Sequence, residues 1–184
     1  IVAMLPLIIL ALFRWNVGAD SVYGQSYWEA YHHSADGLNP RNIEPGFYWF
    51  MRFFAELEVP FFWFLFAHGV IFFGFVCFAI HKGSGWGTWS VALFLLLTVY
   101  FDSYSSLRQS LAEAICLVGW AFMGSERNSL KKDVSIVALF LFSTLFHSTG
   151  WLNIPIYLLC KLRFRRRADV LITESDRKSG SAGM

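Results

Sequence analysis

Residues 60–80 read "PFFWFLFAHGVIFFGFVCFAI", 21 positions without a single Asp, Glu, Lys or Arg. A helix of that length is about 31 Å long at 1.5 Å per residue, which matches the roughly 30 Å hydrocarbon layer of a bilayer. The apolar residues run continuously, and a membrane β-barrel would show an alternating pattern instead. The stretch therefore predicts a membrane-spanning helix, and the rest of the chain fits that setting. Of the 184 residues, 56% are hydrophobic, 19% aromatic and only 15% charged, with a positive mean hydropathy.

Working outward, further apolar runs fall at about 1–13, 86–101, 107–123, 134–149 and 151–162, separated by short polar connections. The pattern predicts an all-α, polytopic membrane protein with five to six transmembrane helices. Its single integral membrane domain would cover 1–162, with an outer loop over 14–59. "HSTGWLNIP" (147–155) reads as a tight turn between short spans or as a break in a longer helix, and Pro155 favours a bend there. The chain begins Ile1-Val2-Ala3 without a methionine, so part of an N-terminus is expected to be missing. Residues 163–184 read as a basic, then flexible, cytoplasmic tail.

Short cytoplasmic loops carry an excess of Lys and Arg. Lys82, the group Arg127, Lys131 and Lys132, the run "KLRFRRR" (161–167), and Arg177 with Lys178 together hold eleven of the fifteen basic residues. Their spacing alternates consistently, placing 14–59, 101–107 and 147–151 outside. Within the long outer loop, Glu44-Pro45 reads as a helix start. The helix that follows would carry Phe47, Phe50, Met51 and Phe54 on one face and Tyr48, Arg52 and Glu56 on the other, an amphipathic element for the outer membrane interface. Glu56-x-Glu58 is the polar end of that helix and not a metal site. Cys77, Cys116 and Cys160 lack any metal-ligand or disulfide spacing and read as small core residues. No nucleic-acid patch is present; the Arg run is a topology signal that can also contact anionic lipid.

"FDSYSSLRQSLAEA" (101–114) interrupts the apolar pattern with Arg108, Gln109 and Glu113. Gln109 and Glu113 share a helix face, and a carboxyl at that depth in a membrane is costly unless paired or facing water, which makes it a functional candidate. Arg108 alone could equally be a snorkelling anchor. The first outer loop supplies Arg14, Asn16, Asp20, Tyr23, Tyr27 and Tyr31, with Gly18 allowing a turn that would bring Arg14 towards Asp20. His147, at the outer end of a run, suits acid–base work or phosphate binding. All these groups, with Glu44, fall on the predicted outer side.

The order Arg14-x-Asn16-x-Gly18-x-Asp20, then Glu44-Pro45-Gly46-Phe47, Arg108-Gln109-Ser110-Leu111-Ala112, and Phe146-His147-Ser148 followed by Ile154-Pro155-Ile156-Tyr157 resembles the EpsG family. These are polytopic bacterial membrane proteins of exopolysaccharide gene clusters, similar to Wzy-type polymerases. Members usually have more helices, so the resemblance implies a shortened or N-terminal portion. It implies a glycosyltransferase-type polymerase in the bacterial cytoplasmic membrane. On the outer face, a glycan would leave its polyprenyl-pyrophosphate carrier and join a hydroxyl of the next lipid-linked repeat. Arg108, then Arg14, would bind pyrophosphate oxygens. Asp20, Glu44 or His147 would act as base, with Asp20 preferred. Tyr23, Tyr27, Gln109 and Glu113 would line the substrate site. No metal or other cofactor is required. Partners would be the lipid-linked oligosaccharide, membrane lipids and other polysaccharide-assembly proteins. A flippase or transporter of lipid-linked sugars, or a non-catalytic assembly subunit, are the alternatives.

Overall fold

The computed structural model describes residues 4–13, 18, 27–39, 42–97, 99–123 and 129–162. Among them there are helices and no strand. The chain divides into two units, Ile1–Gly150 and Trp151–Met184. The first holds α1 (Leu5–Leu12), α2 (Tyr27–Ala35), α3 (Pro45–Glu56), α4 (Phe61–Gly83), α5 (Gly87–Leu96), α6 (Val99–Ser105), α7 (Leu107–Met123) and α8 (Leu130–Ser143). A 3-10 turn, Ser148–Leu152, follows. The second unit contributes α9 over 153–162, with Pro155 tolerated in its first turn.

α4 is the helix that the 60–80 run predicts. It starts directly after Pro60 and carries His81 and Lys82 in its last turn, where a cation complements the carbonyl end of the helix. Its 23 residues make it, among the described residues, long and apolar enough to cross a membrane. Phe61, Leu65, His68, Phe72, Val76 and Ala79 are buried at three- and four-residue intervals, a single stripe turned onto the protein.

That stripe packs on α7, which lies between α4 and α8. α7 is buried on most of its circumference, and Glu113 and Leu117 are its exposed positions. Small residues bring the helices close. A Cβ on Gly83 would sit 3.0 Å from the Ala121 Cα, and one on Gly119 would sit 2.7 Å from the Phe140 ring. Close packing of this kind is how helices associate when no water is present to drive them together.

The 86–101 run is read from sequence as one apolar stretch. It forms α5 and α6, with a turn at Leu97. The bend lets the Tyr100 hydroxyl donate to the Leu7 carbonyl on α1, 2.9 Å away. α6 and α7 then follow almost end to end, because Ser106 N–H donates to Asp102 O and Ser110 N–H donates to Ser106 O, both at 2.9 Å.

α3 begins at Pro45, where Glu44-Pro45 predicts a start. Its buried face is set by the helices around it. Phe47, Tyr48, Met51 and Ala55 are buried, while Phe50 and Phe54 lie at the margin. Trp49, Phe53 and Leu57 form an exposed stripe four residues apart. Tyr48 is drawn inward by the core that α2, α3 and the first halves of α4 and α7 build together. Arg52 lies between the two faces, bonded to Glu56 at 2.6 Å and 5.1 Å over the Trp49 ring. α2 packs on α3, and its Tyr31 hydroxyl donates to Val59 O at 2.5 Å. Burial pushes the Tyr31 phenol up to about 12.

Candidate functional site

The site is built where the start of α3 meets the end of α8 and the start of α7. The first N–H groups of a helix have no partner within it and must find one elsewhere. In α3 the positions 45–48 are accounted for. Pro45 has none, Gly46 donates to Leu145 O at 2.7 Å, Phe47 donates to the same oxygen at 3.3 Å, and Tyr48 donates to Glu44 O at 2.9 Å. The approach requires glycine at position 46. A Cβ there would lie 2.8 Å from both Leu145 Cβ and Leu145 O.

This arrangement releases the Glu44 side chain from capping. Glu44 is the N-cap residue yet makes no side-chain cap bond. Its carboxylate reaches instead to Arg108, whose Nη1 donates to Glu44 Oε2 at 2.5 Å. The pair bridges 64 positions of sequence and is partly open, the side chains being 29% and 21% exposed. Both side chains therefore keep part of their surface uncovered. The Arg108 guanidinium also lies 5.5 Å over the ring of buried Tyr27, a cation–π contact of about 0.5–1 kcal/mol.

Arg108 occupies the first turn of α7, and the backbone below it is held from α4. His68 is buried, and its Nε2 lies 2.9 Å from the Leu107 carbonyl. Ser110 Oγ donates to the same oxygen at 3.0 Å. This support fixes the direction in which Arg108 leaves the helix.

Of the residues proposed from sequence, Glu44, Arg108 and Tyr27 are brought together. Gln109 and Glu113 pair with each other at 2.8 Å on a neighbouring face of α7. Glu113 is exposed there, away from the Arg108–Glu44 contact. His147 sits two residues beyond the Leu145 carbonyl and is engaged locally, with Nδ1 3.0 Å from Thr149 Oγ1. Arg14, Asp20 and Tyr23 lie outside the described residues. From their loop Gly18 is described. It has φ +88° and its backbone lies against the Tyr104 carbonyl so closely that no side chain fits. Among the described residues no group of three or more His, Cys, Asp or Glu side chains is arranged to hold a metal.

Three contributors are missing from the sequence reading: Gly46, the Leu145 carbonyl and His68. Gly46 carries the one local signal, since a glycine directly after a helix-starting proline suggests close backbone approach. The other two act through tertiary contacts that no local pattern reveals.

In comparisons with known proteins, the model of the EpsG family matches residues 1–173, nearly the whole chain. No curated protein and no solved structure matches it.

Proposed function

The chain belongs to the EpsG family, and from that premise we propose that it polymerises polyprenyl-pyrophosphate-linked oligosaccharide repeats on the outer face of the cytoplasmic membrane. Membership suggests an exopolysaccharide-related, polymerase-type membrane protein; the particular reaction is our reading. In it, Arg108 receives the pyrophosphate that leaves with its electron pair, since a planar guanidinium offers several N–H donors to phosphate oxygens and stays charged in an apolar setting. The acceptor hydroxyl gives its proton to Asp20, Glu44 or His147. Tyr27, with Arg14 and Tyr23 from the same loop, would line the path of the sugar. Gln109 and Glu113 serve at its margin.

We place the protein across the bacterial inner membrane with five or six spans, α4 among them. Residues 14–59, 101–107 and 147–151 face outward, and 163–184 form a basic cytoplasmic tail. The exposed Trp49, Phe53 and Leu57 of α3 would rest in the outer interface, where amphipathic aromatic rings are at home. Partners are the lipid-linked donor and acceptor, membrane lipid and other assembly proteins.

The observation that carries the reading is the partly open Arg108–Glu44 pair, with the Arg108 guanidinium 5.5 Å over the Tyr27 ring. The test is polymer length in cells lacking the native gene, complemented with wild type, Arg108→Ala or Asp20→Ala at matched membrane levels. Loss of long polymer with single repeats accumulating on the outer face supports the assignment. Undiminished polymer from both variants refutes it, and repeats trapped on the inner face identify a flippase.

A further inference from the structure

We infer that Glu44 and Arg108 form an exchangeable pair, in which the diphosphate of the incoming lipid-linked donor takes Arg108 from Glu44 and so releases Glu44 to act as the base. The inference rests on the reading of this site as a polymerase centre and assigns the base that the reading leaves open.

Three features carry it. First, Glu44 engages the guanidinium at one point, Nη1 to Oε2, leaving the other edge of the five-donor fork for an anion that binds in bidentate fashion. A diphosphate carries more negative charge than one carboxylate and presents more oxygens, so it competes well for the cation. Second, Arg108 has holds other than Glu44. It is held over the Tyr27 ring and carried on a turn of α7 fixed by His68 and Ser110, so the cation stays in place when the carboxylate leaves. Third, among the described residues the released carboxylate has no capping role to return to. The N–H groups at the start of α3 are already taken by Leu145 O and Glu44 O.

The step balances. The acceptor hydroxyl proton passes to Glu44, and the hydroxyl oxygen forms the new bond to the anomeric carbon. The bond from that carbon to the diphosphate oxygen breaks, and its electron pair leaves on the diphosphate beside Arg108. The base is thus available only when a donor is bound, which protects an idle site from unproductive proton abstraction.

The test uses the full chain purified in detergent, with wild type, Glu44→Gln, Arg108→Gln and the double variant. Binding of inorganic pyrophosphate and of a short polyprenyl pyrophosphate is measured first, then polymerisation of the host's own lipid-linked repeat. Glu44→Gln should bind both probes about fivefold more tightly, the factor expected when a partly exposed competing ion pair is removed. Its turnover should fall about a hundredfold or more, the usual loss with a general base. A merely structural glutamate would weaken both together. Glu44→Gln that binds no more tightly than wild type, while binding still depends on Arg108, overturns the exchange and leaves the site assignment standing. Binding unchanged by Arg108→Gln overturns the site assignment itself.

Discussion

Gly46→Ala separates two physical effects of opposite sign. Alanine is the better helix former, and in a helix interior the change stabilises by about 0.5–1 kcal/mol. At position 46 the added Cβ would meet Leu145 Cβ and O at 2.8 Å and the Leu145 carbonyl carbon at 3.0 Å. These are backbone and Cβ atoms, which cannot swing aside as the tip of a long side chain would. Overpacking of this kind costs about 1–3 kcal/mol. Retreat of α3 also stretches two hydrogen bonds to Leu145 O, each worth about 0.5–1.5 kcal/mol. The net expectation is destabilisation near 3 kcal/mol, roughly the sum of these terms less the propensity gain. Unfolding in detergent, followed by tryptophan fluorescence, measures it. Gly74→Ala is the control, since a Cβ at that α4 position meets nothing within 4 Å; it should be neutral or slightly stabilising. A Gly46→Ala protein as stable as wild type, or more so, would refute the packing account.

Arg108→Lys keeps the charge and loses the planar fork, so polymer yield should drop at least about tenfold at matched membrane levels; a fully active lysine variant means that Arg108 is an anchor. The Tyr31 phenol, pushed up to about 12 by burial, stays neutral in the folded protein where an unfolded tyrosine ionises near 10. The sign follows directly: its stabilising contribution is complete below about pH 10 and is lost as pH rises from there towards about 12. A tyrosine absorbance titration should show late-ionising absorbance that falls by one residue in Tyr31→Phe, and an unchanged late amplitude in the variant would refute the assignment.

Much of the helical order was legible because apolar run length and proline placement are local signals. Pro60 and Pro45 mark the starts of α4 and α3 in sequence and in structure alike. The orientation of α3 was not legible. Phe47, Phe50, Met51 and Phe54 make one apolar face, but Trp49, Phe53 and Leu57 make another, and only the packing of α2 and α4 decides which is buried. The division between α5 and α6 was likewise hidden inside a run of uniform hydropathy. At the site, residue types were legible and partners were not. Arg108 and Glu44 each stood out in sequence, yet nothing in a 64-residue separation indicates that they meet. Glu113 stands out in sequence as a carboxyl in an apolar helix, and in the structure it accepts a hydrogen bond from its i,i+4 neighbour Gln109.

The seat of α3 on Leu145 also bears on how the protein is made. Leu145 lies 99 positions after Gly46, an interval of about 5–20 s at ordinary rates of translation, during which chains fold from the N-terminus. For that time Glu44 has already been synthesised, Arg108 arrives partway, and the carbonyl that anchors the helix between them does not yet exist. Assembly of the centre therefore waits for the end of α8. A nascent chain interrupted before that point would carry both charged groups and still lack the contact that holds them in register.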